Sequence, residues 1–434
     1  MTRRAPTAKG DLVSLERPRA SVFTPSHRNT YLDECLDSLL KQTFEDWEWV
    51  VLLNGGARWR PAQDDPRVRV VVADDLGGIG ALKRHACLIA RGEFLVELDH
   101  DDLLASQALE RVVEAFDARP DVGLVFSQCA QILADGSRDD SRFNEAHGWT
   151  YREATVDGRS VLQTDSMAAS PHNVSYIWYA PNHVRAFRRT TYDDAGGYDV
   201  DRAVLDDQDL MCRMYQQAEF SLIDECLYLQ RMHHRNTQHE AETNATIQRE
   251  TVALYDRYVQ PSALAWAKRA GLACLDLGAA HNKPPGYLGV DQYDGPDVDI
   301  VGDVMNGIPL PDSSVGVIRA VDFLEHVPDK IAIFNELYRL LAHGGMLLSL
   351  TPSTDGRGAF QDPTHVAFYN ENSFWYFTDR SYSAFVPPIK CRFQVSRIST
   401  IFPSEWHQQY NISYVNANLI AIKDGPRQGG VLLI

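Results

Sequence analysis

Apolar and polar residues alternate along the chain in blocks that predict strands followed by helices. From Ala20 onward, apolar runs of strand length alternate with segments in which apolar residues recur every three or four positions. In the segment TYLDECLDSLLKQ this period predicts one apolar helix face, formed by Leu32, Cys35, Leu36, Leu39 and Leu40. Thr30 and Asp33, just before and within it, resemble a capping box for this helix. The alternation predicts an α/β fold, a mainly parallel sheet with helices on both faces.

A second set of strand and helix patterns begins near Gly271, after a segment that is polar at first and helical later. A chain of 434 residues is too long for one ordinary hydrophobic core, so more than one domain is expected. We expect domains at residues 20–258 and 259–434, with the boundary inside the helical segment. Residues 1–19 are basic and contain no apolar core segment, so we expect a flexible tail and no signal peptide.

Charge and cysteine content narrow the class of protein. A net charge of −17 argues against a general nucleic-acid binder, and no apolar run approaches the ~18 residues of a membrane span. The seven cysteines form no Cys-x-x-Cys pair, so they indicate neither a disulfide framework nor a zinc site. A reducing, cytoplasmic setting is expected, and the oligomeric state stays open.

Three carboxylates follow an apolar strand in the stretch EFLVELDHDD, at Asp99, Asp101 and Asp102. One of them could cap the helix that follows, because acids suit a helix N-terminus. The alternative is a bound divalent cation, since hard cations prefer carboxylate oxygens. The carboxyl ends of parallel strands share one edge, where ligands of such sheets bind, so Pro25 and Asn54 are expected beside these acids.

Four segments in order resemble the signatures of family 2 glycosyltransferases with the GT-A fold: SVFTPSHRN, LGGIGALKRHACLIARGEFLVELDHDD, FRRTTYDDAGGYDV and LDDQDLMCRM. The resemblance covers about residues 20–240. It implies an inverting, metal-dependent transferase that uses Mn²⁺ or Mg²⁺ and a nucleotide-sugar donor, with a UDP-sugar favoured. The acceptor it implies is a glycan, a lipid-linked saccharide or a protein side chain.

The resemblance also implies roles for single residues on the donor side. Asp101 stands where the family binds its metal, and Asp99 where it holds the ribose or the metal's water shell. Pro25 and Ser26 end the first strand, against the nucleotide base in relatives. Asn54 stands beside the usual base-reading acid, and its amide can hydrogen-bond a pyrimidine edge. Arg84 stands at the position of a diphosphate-contacting arginine; otherwise it is a solvated helix residue.

Two further positions follow from the same resemblance. Asp207 takes the place of the catalytic base that removes the acceptor's proton, although Asp206 and Asp207 could merely begin a helix. His233 matches the histidine that completes the metal shell, with His234 as the alternative and a structural histidine as the plainer interpretation.

The second half resembles a short form of the class I S-adenosylmethionine-dependent methyltransferases, over about residues 270–378. The segments that carry the resemblance are CLDLGAAHNKPPGYLGVDQ, VDIVGDVMNGIPLPDSSVGVIRAVDFLEHVPD, NELYRLLAHGGMLLSLTPS and GAFQDPTHVAFYNENSF. It implies a Rossmann-like fold in which S-adenosylmethionine is held by Asp276, Gly278, Asp291 and Asp303. His326 and His365 would then face the methyl acceptor.

The same half departs from that pattern in two ways. The usual Gly-x-Gly turn is Gly278-Ala279-Ala280, and only the nine residues 278–286 separate two strands, fewer than the ~10 to 12 of a helical crossover. Two hypotheses therefore remain open. The chain either couples sugar transfer to methylation of the product, or is a glycosyltransferase whose second domain is a retired, acceptor-binding or structural module.

Overall fold

Two β-sheets, one in each half of the chain, form the frame of the protein in this computed structural model. The structure describes residues 17–143, 145, 148–176, 180–233 and 241–423. The strands of the first sheet are β1 (Ala20–Ser26), β2 (Trp47–Leu53), β3 (Val68–Val72), β4 (Phe94–Glu97), β5 (Leu103–Leu104), β6 (Val122–Leu133), β7 (Tyr151–Val156), β8 (Arg159–Thr164), β9 (Arg185–Arg188) and β10 (Glu219–Met232). Its helices are α1 (Leu32–Leu40), α2 (Ile79–Ile89), α3 (Ala108–Ala118), α4 (Pro171–Tyr176), α5 (Arg189–Asp194) and α6 (Asp206–Tyr215).

The first sheet runs in the order β3-β2-β1-β4-β9-β6-β10-β5. Strand β8 pairs with β6 as a branch of this sheet, and β7 pairs with β8. The pairs β1–β2, β1–β4 and β2–β3 are parallel. Helices α1 and α3 pack on one face of these strands and α2 and α6 on the other, each through its apolar side. Because β1, β2 and β4 point the same way, the residues that follow them meet at one edge, as the strand–helix alternation predicts.

The second sheet has seven strands in the order β13-β12-β11-β14-β15-β17-β16. Its strands are β11 (Ala273–Leu277), β12 (Leu288–Asp291), β13 (Ile300–Val301), β14 (Val315–Val321), β15 (Leu341–Pro352), β16 (Phe393–Ile401) and β17 (Tyr414–Ala421). The remaining helices are α7 (Ala241–Arg269), α8 (Lys330–Leu340), α9 (Trp375–Thr378), α10 (Arg380–Ser383) and α11 (Glu405–Gln409). Strands β11 to β15 pair in parallel and β17 runs antiparallel to β15. This is the doubly wound, Rossmann-like sheet expected from the sequence.

Helix α7 joins the two halves as one 29-residue helix, which runs through the predicted boundary at residues 258 and 259. Ala263 and Ala267 of α7 lie in one apolar cluster with Val317 and Met346 of the second sheet. The same cluster contains side chains of the first half, among them Met167. The first half and α7 therefore cover a face of the second sheet, and no helix lies between β11 and β12.

Some local predictions differ from the structure or fall outside its described part. Helix α1 begins at Leu32 with Tyr31 at the cap and no side-chain cap hydrogen bond, so the capping box at Thr30 and Asp33 is wrong. Residues 1–16 of the expected tail and the alternative ligand His234 lie outside the described residues. None of the helices in the described part of the chain is both long and apolar enough to cross a membrane.

Candidate active site

A cleft of about 550 Å³ opens at the carboxyl ends of β1, β2 and β4. The residues that follow these strands form one wall, and the start of α6 and the end of β10 form others. Of the site residues predicted from the sequence, those that line it are Pro25, Asn54, Asp99, Asp101, Asp207 and His233. Residues that are far apart in the chain thus meet in one cavity.

Asp101 and His233 form the closest pair among the predicted metal ligands. The Nε2 atom of His233 lies 2.9 Å from Oδ2 of Asp101, and both side chains are largely buried. The end of β10 is held in place by Arg231, whose Nε donates to the Asp101 carbonyl at 2.8 Å. The ring of Tyr31 stacks on His233 with centroids 6.2 Å apart. Strand β10 therefore delivers the histidine directly to the acid.

The three acids after β4 have different environments. Asp99 faces the cleft with 41% of its side chain exposed, whereas Asp102 is buried and accepts a hydrogen bond from the Arg231 amide at 2.6 Å. Partial burial of its carboxylate, together with the nearby acids Glu97 and Asp101, raises the pKa of Asp99, although Lys83 opposes the shift. The cleft thus receives two acids, Asp99 and Asp101, while the third secures β10.

A buried cation that sequence reasoning missed lies in the wall of the cleft. The ammonium of Lys83 is 2.7 Å from Oε1 of Glu97 and 3.1 Å from Oδ2 of Asp206. Burial disfavours the charged ammonium, but Asp206 and Glu97 raise the pKa of Lys83 well above its ordinary value. Burial also raises the pKa of Asp206. Lys83 therefore stays charged and neutralises carboxylates that would otherwise repel one another.

Asp207 is paired with a second buried cation. The guanidinium of Arg185 donates to Oδ2 of Asp207, and the Gln208 amide donates to Oδ1 at 2.8 Å. Although burial opposes ionisation, Arg185 and Lys83 hold the pKa of Asp207 at about 2. The neighbouring His183 is neutral, because burial and Arg185 lower its pKa to about 3. Asp207 is thus an ionised carboxylate in the cleft wall.

Two predicted donor residues do not line the cleft. The Arg84 guanidinium donates to the carbonyls of Gly196 at 2.6 Å and Tyr198 at 2.8 Å, away from the acids. The Ser26 hydroxyl bonds to the backbone of Arg28. The structure therefore does not place Arg84 or Ser26 where the resemblance implies. Arg28, which sequence reasoning passed over, lines the cleft instead.

The turn at residues 278–280, which is expected to hold the cofactor, and the strand before it make contacts with other side chains of the second domain. Asp276 accepts a hydrogen bond from Arg319 at 2.6 Å. Gly278 has a φ of +72°, and a Cβ built there would lie 3.0 Å from the ring of Phe323. Ala280 takes a φ of +40° where the family has its second glycine. The backbone of the turn keeps its positive φ at Gly278. Asp276, in the strand just before the turn, is already paired with Arg319.

The two other acids assigned to the cofactor bind backbone amides. Asp291 accepts from the amides of Ala280 at 3.2 Å and Tyr293 at 3.0 Å. Asp303 caps the short helix that follows it, accepting from the Met305 amide at 2.9 Å. Each carboxylate oxygen has a second lone pair, so these contacts do not prevent a further hydrogen bond.

His326 and His365 lie together at the carboxyl edge of the second sheet, with ring centroids 5.1 Å apart. The side chain of Glu325 completes a group whose ligand atoms lie within 4.8 Å of one another. Burial raises the pKa of Glu325 to about 8. The structure therefore brings the two histidines together, as their shared assignment implies, and adds the adjacent acid.

Matches to known families cover parts of both halves of the chain. Residues 21–176 match the family model described as glycosyl transferase family 2, and residues 282–349 match one described as a methyltransferase domain. The second match begins after the Gly278 turn.

Relatives match parts of the chain. Protein y4gI of Sinorhizobium fredii, described as uncharacterized, is 33% identical over 31% of this chain and 15% of its own length. The uncharacterized glycosyltransferase EpsJ of Bacillus subtilis is 26% identical over 49% of this chain and 61% of its own. Chondroitin synthase of Pasteurella multocida is 24% identical over 55% of this chain and 24% of its own. The chain thus spans less than two thirds of the length of each of these relatives.

Two solved structures show weak overall similarity. TarS of S. aureus in complex with UDP-GlcNAc superimposes with a TM-score of 0.40 and 16% identity, over 58% of this chain and 72% of the other. The mannosyltransferase PcManGT from Pyrobaculum calidifontis, in complex with GDP-Man and Mn²⁺, gives a TM-score of 0.34 and 18% identity, over 59% and 77%.

Proposed function

Because the chain contains a family 2 glycosyltransferase domain followed by a methyltransferase domain, we propose that its first domain transfers a sugar from a nucleotide-sugar to an acceptor hydroxyl. The observation that carries the proposal is the meeting of Asp99, Asp101, Asp207 and His233 in one cleft at the strand ends. The proposed reaction is a single displacement that inverts the anomeric centre, with Asp207 as the base, as the resemblance to inverting family 2 enzymes implies.

A divalent cation, Mn²⁺ or Mg²⁺, fits the donor set of this cleft. Asp101 and His233 would hold it, with Asp99 beside them. The cation, when bound, neutralises the diphosphate of the donor and stabilises it as a leaving group. The carboxylates at the cleft favour a cation there, because repulsion among ionised acids in a partly buried site is otherwise costly.

Asp207 would take the proton of the acceptor hydroxyl as that oxygen attacks the anomeric carbon. Its low pKa keeps it ionised at neutral pH, and Arg185 fixes its position. Because Arg185 lowers the pKa of Asp207, it also makes Asp207 a weaker base. Arg185 covers part of the carboxylate, so the acceptor hydroxyl must approach the part that is left accessible. Asp206 is paired with Lys83 as Asp207 is with Arg185, so we assign the base to Asp207 from its place in the family pattern.

A UDP-sugar is the donor we favour, because Pro25 and Asn54 line the end of the cleft and the Asn54 amide can both donate to and accept from a pyrimidine edge. Arg28 replaces Arg84 as the arginine placed to contact the diphosphate. A glycan, a lipid-linked saccharide and a protein side chain each offer a suitable hydroxyl, so the acceptor is to be identified by assay.

Two measurements test the proposal: the rate at which the chain hydrolyses the nucleotide-sugar, and the midpoint of its thermal unfolding. The full chain is incubated with UDP-, GDP- and dTDP-sugars with and without Mn²⁺, and bound donor raises the unfolding midpoint by mass action. We expect a Mn²⁺-dependent shift with one nucleotide and its loss in Asp101→Ala. Asp121→Ala is the matched control, since Asp121 precedes β6 at the opposite edge of the sheet and pairs with Arg119 on the surface. A shift that survives Asp101→Ala would contradict the metal assignment.

For the second domain we propose methylation of the glycosylated product with S-adenosylmethionine, supported by the family match. The residues fit that cofactor only in part: Gly278 and Asp291 are in place, whereas Asp276 is bound to Arg319 and Ala280 replaces a glycine. The latter two observations favour a second candidate function, a binding module without methyl transfer. Calorimetry of the full chain with S-adenosylmethionine decides between them, since the module predicts no binding heat.

A further inference from the structure

Three side chains of the second domain with metal-binding chemistry converge outside the glycosyl-transfer cleft. One ligand atom from each of Glu325, His326 and His365 lies within 4.8 Å of the other two. Glu325 and His326 follow β14, and His365 follows β15. The cluster thus lies at the carboxyl edge of a parallel sheet, where such sheets bind their ligands.

Backbone hydrogen bonds hold the two loops of the cluster together. The carbonyl oxygen of Glu325 accepts from the amides of Val366 and Ala367, each at 2.9 Å. These two bonds join the loop after β14 to Val366 and Ala367, the two residues that follow His365. The three side chains are therefore brought together by the fold and do not depend on a ligand to assemble them.

The hydrogen bonds of both histidines leave one ring nitrogen available as a ligand. Nδ1 of His365 lies 3.0 Å from the Ala359 carbonyl, and a carbonyl can only accept, so Nδ1 carries the proton. Nδ1 of His326 lies 3.2 Å from both the carbonyl and the hydroxyl of Thr364. That hydroxyl donates to Asp362 at 2.6 Å, so it too accepts from His326. Each neutral ring therefore keeps its lone pair on Nε2, and this is the arrangement that metal-binding histidines use.

Glu325 supplies an acid that lacks a partner. Its side chain is 1% exposed, and neither carboxylate oxygen meets a hydrogen-bond donor from another residue in the described part of the chain. A buried polar group without a partner is costly, so the site contains an oxygen ligand that its surroundings do not satisfy.

We propose that Glu325, His326 and His365 bind a divalent transition-metal ion of the zinc type. Two imidazoles and one carboxylate are a ligand set that binds Zn²⁺ and leaves a position open. Ligands around one tetrahedral ion lie about 3.4 Å apart, and the three side chains already bring one ligand atom each within 4.8 Å of the others, so small side-chain movements place them around one ion.

His326 is the exposed member of the cluster, so an ion held here would be reachable from solvent, and three protein ligands would leave it one open position. It can take a water molecule or the hydroxyl oxygen of a saccharide acceptor, and a bound cation lowers the pKa of such an oxygen. The inference does not depend on sugar transfer in the first domain, because it involves none of the residues of that cleft.

The test is a titration of the metal-free full chain with Co²⁺ and Zn²⁺. Co²⁺ in a four- or five-coordinate nitrogen and oxygen site absorbs visible light, and Zn²⁺ should displace it. We expect one such site, retained in Asp101→Ala, which removes the metal ligand of the first domain. Glu325→Gln and His365→Ala should weaken the affinity by more than ~100-fold, since loss of a mere partner of a ligand already costs 10- to 100-fold.

His407→Ala is the matched control, because His407 belongs to the same domain and bonds to Ser404 away from the cluster. Thermal unfolding without metal shows whether each variant folds, and Glu325→Gln preserves the shape of the side chain. The proposal is overturned if the wild-type chain gives no visible Co²⁺ absorption. It is also overturned if both cluster variants bind Co²⁺ as tightly as His407→Ala does.

Discussion

Asp206 and Asp207 are neighbours in the chain, yet each carboxylate pairs with a different cation and has a different chemical character. Asp206 is buried against Lys83, and burial raises its pKa. Asp207 is bound by Arg185 with a pKa of about 2. Both acids line the cleft, and of the two only Asp207 has a lowered pKa, so Asp207 is the one we assign as the base.

We expect Asp207→Asn to lower kcat for sugar transfer by roughly 10²- to 10⁴-fold, the range for loss of a general base. The Kd for the nucleotide-sugar should change little, since Asp207 acts on the acceptor. Kinetics at saturating donor with donor binding by calorimetry measure both. Asp206→Asn is the comparison, and there we expect a lower unfolding midpoint because Lys83 loses a buried partner. Equal loss of kcat in both variants, with both folded, would contradict the assignment.

Arg28 and Arg84 offer a second matched pair. Arg28 lines the cleft, whereas Arg84 bonds to the carbonyls of Gly196 and Tyr198. We expect Arg28→Gln to raise KM for the donor by roughly 10- to 100-fold, since a hydrogen bond to a charged group contributes about 1.5 to 3 kcal/mol. Arg84→Gln should leave KM unchanged and lower the unfolding midpoint. Steady-state kinetics on both variants check this, and the reverse pattern would restore Arg84 to the diphosphate.

The arginine pair also shows what sequence reasoning can reach at the scale of single residues. Residues at strand ends, such as Asp99 and Asp101, are predictable because the strand itself fixes where they emerge. Helix residues are harder, because successive positions turn by about 100°. That turn sends Lys83 to the buried acids and Arg84 to a distant loop. Arg185 is the first residue of β9, which also ends in an arginine, so the sequence carries no sign that Arg185 is the second buried cation.

At the scale of elements, the hydrophobic period predicts most strands and helices of both sheets, including α1, β2 and β15. The length of the segment 278–286, nine residues, also predicts that no crossover helix fits there, and none lies between β11 and β12. The period cannot predict what covers the sheet in place of that helix, because the contact with α7 depends on residues distant in the chain. The short α4 was likewise not predicted, since its six residues carry no helical period.

The turn after β11 provides a prediction at this scale. Gly278 needs its positive φ, and a Cβ there would also meet Phe323 at 3.0 Å. We expect Gly278→Ala to lower the free energy of unfolding by more than Gly271→Ala does. Gly271 has a similar φ of +66° and open space around it, so its variant should show the backbone cost alone, about 1 to 2 kcal/mol. Urea unfolding of the two variants measures the difference, and equal losses would show that Phe323 yields.

At the scale of the whole molecule, a buried polar network joins the two domains. Nδ1 of His172 in α4 lies 2.8 Å from the Ser396 hydroxyl in β16, which also bonds to the Tyr255 hydroxyl of α7 at 2.7 Å. Burial lowers the pKa of His172 to about 4. The unfolded chain therefore takes up this proton first as the pH falls.

His172 should make the stability of the protein sensitive to acid. Its neutral form contributes fully above pH 6.5, the ordinary value of a histidine pKa, and that contribution is lost as the pH falls towards 4. We expect this loss to reach about 3 kcal/mol near pH 4. His172→Asn should remove it, so the difference in free energy of unfolding between wild type and variant should shrink with falling pH. A constant difference would contradict the assignment and would show that other groups with a lowered pKa, such as His183 and Asp207, are the source of acid sensitivity.

The shared apolar cluster predicts that the second domain depends on α7 and the first domain for its fold. Val317, Met346, Leu348 and Ile420 project from its sheet into that cluster, and they would face water in a fragment of residues 271–423. Exposed apolar surface of this kind promotes aggregation. We expect the fragment to aggregate or to bind a hydrophobic dye strongly. A fragment of residues 241–423, which keeps α7, should do so less, because Ala263 and Ala267 still cover part of the face. If the shorter fragment unfolded with the midpoint of the full chain, the two domains would be independent, and fusion would then serve only to hold the two sites near each other.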